Sequence, residues 1–455
     1  MTRFRWFVVT MMCLGVVGVA SRVPAQAAPV GKPNVIVVLV DALRADILGA
    51  YGYKKRPTTP NLDRFAGRSV VWDNAMSQDA WTVPCVASTF TGVDPQAHRT
   101  LRYQAKEHVE MDTLSLGHNT LAEQFRAGGY NTAAFIKSVV IDSSRGFSQG
   151  FDTFKIVGGT DQAWGYSATQ LNDAALPWIT AQKGANKPFF VYMHFMDVHS
   201  PYKAPEPYYS KYKLGDSKLS GAHNEIEAMS KAGVVPTAGD IERLYGLYDA
   251  EMEYMDAEFG RLMTELIKSG QDANTIVVFV ADHGEAFYEH QQWFHGNLYQ
   301  ENIRIPLIMK IPGVSPSRMG GYAQQIDLAP TLTELAGVAP SPDWMGHSQV
   351  SGMKAGKATT DVVYSEYIEQ RMVVDPAGLK LIINDGPTKL YDLKVDPNEK
   401  NNLAGSRTAD VARLRGLLDA RFAKGKALAA KFPTSAPTTL TDEQTEALKA
   451  LGYLQ

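Results

Sequence analysis

The chain has only two cysteines in 455 residues, Cys13 and Cys85. Disulfide frameworks and cysteine-rich metal motifs are therefore excluded. An excess of either charge is also missing: 45 Lys and Arg stand against 48 Asp and Glu, for a net charge of -3. Without basic blocks there is no footing for nucleic-acid binding by phosphate neutralisation. There is no internal repeat and no low-complexity tract, and beyond residue 20 no run is long and apolar enough to span a bilayer. What remains is ordinary globular composition, 45% hydrophobic and 20% charged. A chain of this length buries a large core without covalent staples.

The first residues read as targeting rather than fold. Arg3 and Arg5 form a basic start, Phe7–Ala20 is an apolar run, and Ala25-Gln-Ala27 supplies small residues two apart. This pattern predicts a secretory signal over 1–27, cleaved after Ala27, and hence a periplasmic or secreted protein. An uncleaved membrane anchor is the alternative, for which the run is short. Cys13 lacks the lipoprotein context and leaves with the signal, so the mature protein keeps one thiol.

Asn34–Val40 (NVIVVLV) is a continuous apolar run ending at Asp41. Such runs predict strands buried on both faces, as in parallel sheets. Thr132–Ile136, Pro188–Phe195 and Thr275–Ala281 repeat the style, with helical patterns at Leu62–Gly67, Leu121–Gly128 and Ile241–Ser269 between them. The alternation predicts an α/β fold with a doubly wound, mostly parallel sheet over 28–345. From 346 to 432 the pattern changes. Val362–Tyr367, Arg371–Val374, Leu379–Asn384 and Lys389–Leu393 predict a smaller antiparallel sheet, followed by a helix at Ala409–Lys424. Phe432–Thr439 reads as a linker and Thr441–Leu448 as a short helix, within a tail of 433–455. In open α/β sheets chemistry gathers at the carboxyl ends of the strands. Asp41, Asp197 with His199, and Asp282 with His283 all fall there, which predicts a metal or acid–base site.

Those residues carry a resemblance. Val40-Asp41-Ala-Leu-Arg-Ala-Asp46…Tyr51-Gly52 resembles the opening metal motif of the sulfatase family, in the alkaline phosphatase superfamily. Ala281-Asp282-His283-Gly284-Glu285 resembles its second metal motif. His295-Gly-Asn-Leu-Tyr299, Ile303-Arg-Ile-Pro306, Asp327-Leu-Ala-Pro-Thr331, Leu390-Tyr-Asp-Leu393…Asp396-Pro-Asn-Glu399…Asn402-Leu403 and Leu451-Gly-Tyr-Leu454 follow in the family's order. The resemblance implies an alkaline phosphatase-like fold and an ester hydrolase.

The nucleophile segment departs from the family. Sulfatases carry C-x-P-S-R, whose cysteine becomes formylglycine; here the stretch reads Ala80-Trp-Thr-Val-Pro-Cys85-Val-Ala-Ser-Thr-Phe-Thr91-Gly92. Aligning Pro84 and Thr91-Gly92 with the family puts Thr82 on the nucleophile, Cys85 on the serine and Val86 on the arginine. The other register makes Cys85 the modified residue, but places Thr89 where arginine is required. Thr82 is thus the expected nucleophile, with Cys85 a packing residue.

The resemblance further implies metal binding by Asp41, Thr82, Asp282 and His283. Ala42 replaces a family Asp and His283 a common Asn. This donor set favours Zn²⁺ or Mn²⁺, with Mg²⁺ or Ca²⁺ as the alternatives. Lys137 falls at the family's active-site lysine, His199 at an anion-binding histidine and His295 at another family lysine; Val139 replaces a family histidine. These three would neutralise the substrate anion. In an alternative, Asp197, His199 and His295 hold a second metal. His290 reads as a loop residue near the site, and Trp81 is assigned no chemistry.

The expected activity is cleavage of sulfate or phosphate/phosphonate esters of a small molecule, glycan or lipid. Threonine chemistry favours phosphorus: a formylglycine hydrate expels sulfate by collapsing to an aldehyde, whereas a threonine ester must be attacked by water. Other readings remain open. They are a formylglycine-type sulfuric ester hydrolase using Cys85, a phospho-group transferase acting on an envelope polymer, and a degenerate anion-binding protein. Oligomeric state is not legible.

Overall fold

The computed structural model describes residues 31–101, 103–105, 109–158, 167–212, 216–384 and 386–450. The secretory-signal segment and the Leu451–Leu454 motif lie outside them.

Eight strands form the main sheet: β1 (Asn34–Val40), β2 (Val70–Trp72), β3 (Asn131–Ile136), β4 (Thr153–Ile156), β5 (Phe189–Phe195), β6 (Thr275–Ala281), β7 (Leu307–Lys310) and β8 (Ser317–Met319). Their order is β8-β2-β7-β6-β1-β5-β3-β4. Only β7 runs against the rest. Val35 to Val40 are each at most 1% exposed, so both faces of β1 are covered. That is the environment in which an unbroken apolar run is the stable sequence. One helical layer joins Pro60–Ala66, Ser167–Ala181 and the long Ala238–Ser269; the other joins Thr82–Thr91, Leu121–Ala127 and Leu328–Ala336. The long helix starts with a reciprocal cap between Thr237 and Asp240 and stops at Gly270, where φ is +77°.

The four long strands match the sequence reading to within a residue. β2, β4, β7 and β8 were not legible, being only three or four residues long. Among the described residues no helix is long and apolar enough to cross a membrane.

The C-terminal sheet is an antiparallel meander of β9 (Val363–Tyr367), β10 (Gln370–Val374), β11 (Leu379–Ile383) and β12 (Lys389–Asp392). On one face Val373, Leu381 and Leu390 pack on Leu414 and Leu418 of the helix Thr408–Ala429. On the other, Met372, Val374 and Ile382 pack on Met76, Leu298 and Ile303 of the main body. A fully buried ion pair, Lys380 Nζ to Glu399 Oε1 at 2.6 Å, sits beside this contact. Glu399 also accepts from the backbone of Gln300 at 2.7 Å, and its carbonyl lies 3.3 Å from His290 Nε2. The meander therefore buttresses the 290–303 segment. Thr438–Thr439, inside the stretch read as a linker, pair antiparallel with Val109–Met111 and bring the chain back to the main body.

Candidate active site

The sheet register assembles the site. Val40 lies opposite Phe195 on one side and Ala281 on the other. The next residue on β1, Asp41, thus sits beside the ends of β5 and β6, where Asp282 and His283 follow. Ala42 turns the chain with φ +54°, an uncommon conformation for a residue with a Cβ. Its carbonyl accepts from Tyr248 of the long helix at 2.6 Å, and its N–H donates to Asp282 Oδ1 at 3.1 Å. The helix layer and the facing carboxylate hold that turn in place.

Thr82 opens the helix Thr82–Thr91 and is fully buried. Its Oγ1 is 3.3 Å from Asp41 Oδ2 and 3.3 Å from His283 Nε2. Cys85, on the same helix, points elsewhere: its thiol donates to the Asp79 carbonyl at 3.1 Å. Burial pushes that thiol well above its usual range.

The two carboxylates pose an electrostatic problem. Burial and the charge of Asp41 push the Asp282 carboxyl well above its usual range. Burial acts on Asp41 in the same sense, but the hydrogen bond from His194 and the charges of His199 and His283 hold it below its range. His283 sends Nδ1 to the Gly284 carbonyl at 2.9 Å. Its Nε2, a lone pair in that tautomer, faces Asp41 Oδ1 at 3.7 Å and Asp282 Oδ2 at 3.5 Å. Those same two carboxylate oxygens are buried with no hydrogen-bond partner. Partnerless buried carboxylate oxygens beside an imidazole lone pair fit a cation, and two carboxylates with imidazole suit Zn²⁺ or Mn²⁺, although the group whose ligand atoms all lie within 4.8 Å takes its imidazole from His194 rather than from His283.

Sequence reasoning missed one member of this centre. His194 Nε2 lies 3.4 Å from Asp41 Oδ2, with Nδ1 at 2.9 Å from the Tyr192 hydroxyl. Asp41, His194 and Asp282 offer ligand atoms all within 4.8 Å of one another, the one such group among the described residues. Asp197, His199 and His295 do not form such a group, so the second-metal alternative finds no support in these side chains. His194 was concealed inside the apolar run PFFVYMHF; its two-residue offset from Tyr192 was the only signal.

The three residues expected to meet the anion follow β3, β5 and β6. Lys137 follows β3, is 2% exposed, and donates to Gln170 Oε1 at 2.8 Å. Its backbone N–H donates to the His194 carbonyl, so it is part of the same row of strand ends rather than a surface lysine. His199 is buried after Val198, whose φ of +81° is strained for a β-branched residue. Its Nδ1 is 2.6 Å from the Ser200 carbonyl. His295 lies between two rings, 4.4 Å from His283 and 5.3 Å from His199 by centroids. Burial and the charge of His199 lower His295 to about 3. Glu285, in the second motif but given no role from sequence, is fully buried and close: Oε1 is 3.3 Å from His295 Nδ1 and Oε2 accepts from Tyr202 at 3.2 Å. His290 stacks on Tyr299 at 3.6 Å and bonds Glu301 at 2.9 Å, which gives it a structural part.

Comparison with known proteins gives concordant matches. Residues 33–338 match the family model Sulfatase, and residues 288–424 match N-sulphoglucosamine sulphohydrolase, C-terminal. An arylsulfatase from Clostridium perfringens is 25% identical over 82% of this chain and 91% of its own. A choline-sulfatase from Rhizobium meliloti is 23% identical over 86% and 87%. Among solved structures, a phosphonate monoester hydrolase from Agrobacterium radiobacter superposes with a TM-score of 0.67 at 20% identity, covering 90% of this chain and all of its own. A protein solved with its substrate D-glucosamine-2-N,6-O-disulfate gives 0.70 at 21% identity, covering 87% and 98%.

Proposed function

Because the chain belongs to the sulfatase family and is a sulfuric or phosphoric ester hydrolase, we propose that it cleaves its ester through Thr82, with a preference for phosphate or phosphonate over sulfate. The observation that carries this is the position of Thr82 Oγ1, 3.3 Å from both Asp41 Oδ2 and His283 Nε2. The hydroxyl proton has two acceptors there, and the amino end of the helix adds favourable potential for the developing alkoxide. A divalent cation held by Asp41, Asp282, His283 and His194 would supply Lewis-acid stabilisation of negative charge on oxygen. Lys137, His199 and His295 bind and orient the anion. The Thr82 oxygen forms a bond to phosphorus or sulfur as the bond to the leaving oxygen breaks, and water then cleaves the threonine ester.

Phosphorus is favoured because a threonine ester has no internal route to release sulfate. The phosphonate monoester hydrolase likeness supports this chemistry, and the sulfatase relatives keep sulfate esters in play. The test is a rate panel of aryl sulfate, phosphate, phosphodiester and phosphonate. The phosphoryl substrates should be faster; a dominant aryl sulfatase rate would overturn the preference. We also propose export. Mature protein should begin at or near Ala28, and an intact Met1 in soluble cytoplasmic protein would overturn it.

A further inference from the structure

We infer that Tyr192 is a positioning residue for His194: its hydroxyl accepts from Nδ1 of that imidazole and so fixes the tautomer in which Nε2 is a lone pair turned to a divalent cation shared with Asp41 and Asp282. This rests on the metal reading above and names a residue outside the ligand set that governs it.

Tyr192 and His194 are two residues apart on β5 and so project from one face of the sheet. Leu39 lies in register with His194 on β1, and Asp41 follows two residues later, on the same face. The Asp41 N–H donates to the Phe195 carbonyl at 2.9 Å, which carries the pairing past the end of β1. Strand parity therefore brings phenol, imidazole and carboxylate into one row. All three residues are at most 1% exposed. The phenol ring is held edge-on against Phe90 of the helix Thr82–Thr91, with centroids 4.8 Å apart.

The distances along the row are unequal. Tyr192 Oη is 2.9 Å from His194 Nδ1, an ordinary hydrogen bond, whereas His194 Nε2 is 3.4 Å from Asp41 Oδ2, which is long for one. Two ligand atoms each about 2.0–2.1 Å from a tetrahedral Zn²⁺ stand about 3.3–3.4 Å apart. The contact with Asp41 is thus the weaker of the two, and the one that a shared cation would replace. Asp41, His194 and Asp282 already offer ligand atoms within 4.8 Å of one another. A neutral imidazole has one N–H and one lone pair, so the bond made at Nδ1 decides what Nε2 presents. A phenol hydroxyl accepts the Nδ1 proton without adding a third negative charge beside two buried carboxylates. A phenyl ring of the same shape cannot accept it.

The test uses full-length protein stripped with EDTA and titrated with Zn²⁺, Mn²⁺ or Co²⁺. Tyr192→Phe keeps the ring and removes only the hydroxyl. It should weaken Zn²⁺ binding roughly 10- to 100-fold. Mn²⁺ binding should fall less, because imidazole suits Zn²⁺ while carboxylate oxygen suits Mn²⁺. The visible absorption of the Co²⁺-loaded protein should change in the same variant. His194→Gln should itself weaken Zn²⁺ binding by roughly 10-fold or more, and in that background Tyr192→Phe should cost no more than roughly 2-fold, because its target is gone. A merely structural role would lower the melting temperature of the chelated Tyr192→Phe protein and leave Zn²⁺ affinity alone; that result overturns the proposal. So do additive losses in the cycle, an unchanged Co²⁺ spectrum, or unchanged Zn²⁺ affinity in His194→Gln. Wild-type protein that takes up none of the three metals removes the metal reading together with this one. Wild-type protein that binds Zn²⁺, with an additive cycle, removes only the role of Tyr192.

Discussion

Thr82 and Cys85 stand about one helical turn apart and face different partners. The threonine hydroxyl meets Asp41 and His283 at 3.3 Å, while the cysteine thiol donates to the Asp79 carbonyl at 3.1 Å. Position on the helix thus separates the two candidate nucleophiles. Thr82→Ala should abolish turnover, and Cys85→Ser should retain most of it. Mass spectrometry of the peptide spanning both should show an unmodified thiol at 85, and a slow phosphoryl substrate should label Thr82. A formylglycine at 85, or an active Thr82→Ala, would reverse the assignment.

Chelation should cost stability as well as rate. Asp41 Oδ1 and Asp282 Oδ2 are buried without hydrogen-bond partners beside His283 Nε2, an arrangement a cation would relieve. Protein treated with EDTA should melt at lower temperature than protein resupplied with Zn²⁺ or Mn²⁺, with the difference growing with free metal. His194→Ala and Asp282→Ala should each lower metal content and kcat together, by about 10-fold or more. Identical melting and full activity in the chelated protein would contradict the metal reading.

The buried pair between Lys380 and Glu399 ties the C-terminal meander to the segment carrying His295. Lys380→Met leaves a carboxylate without its counter-charge and should destabilise the protein by about 3–5 kcal/mol. Lys380→Met with Glu399→Gln should cost clearly less than the single change. Chemical denaturation checks both, and equal losses would show that the pair itself contributes nothing.

His118 predicts an acid limb in stability. It is buried against Phe432, with ring centroids 4.2 Å apart. Burial, then the charge of Arg99, lower it from 6.5 to about 4, while Asp343 opposes the shift. At pH values above 6.5 both folded and unfolded chains carry it neutral, and its contribution is fully present. Between 6.5 and about 4 the unfolded chain takes up the proton first, so stability falls as pH falls. The loss is on the order of 3 kcal/mol and levels off below about 4. His118→Gln should flatten that limb in a urea series run at several pH values; an unchanged slope would refute it.

The parts of the fold that were legible share one cause. Strands enclosed on both faces must be apolar at every position, so Asn34–Val40 and Thr275–Ala281 announced themselves with correct ends. Val70–Trp72 and Leu307–Lys310 are short strands, each paired on both sides, whose existence depends on pairing rather than on pattern. The same principle concealed His194: in a run assigned to burial, one polar residue carries no spacing signal of its own. Asp41, Asp282 and His283 were legible because strand ends can be counted. Glu285 was visible as a motif letter, but its tie to His295 depends on how the 285–295 loop folds back.

Strand β1 also sets an order of events during synthesis. Its two neighbours are Phe189–Phe195 and Thr275–Ala281, the latter some 240 residues downstream in the register. A ribosome-bound chain shorter than about 281 residues therefore cannot close the centre of the sheet, and Asp41 has no Asp282 beside it. Pairings so distant in sequence form slowly, because chain closure precedes any gain from contact. β1, β5, β3 and β4 are all present once residue 195 has been made, but the site itself waits for Asp282 until more than half of the chain exists.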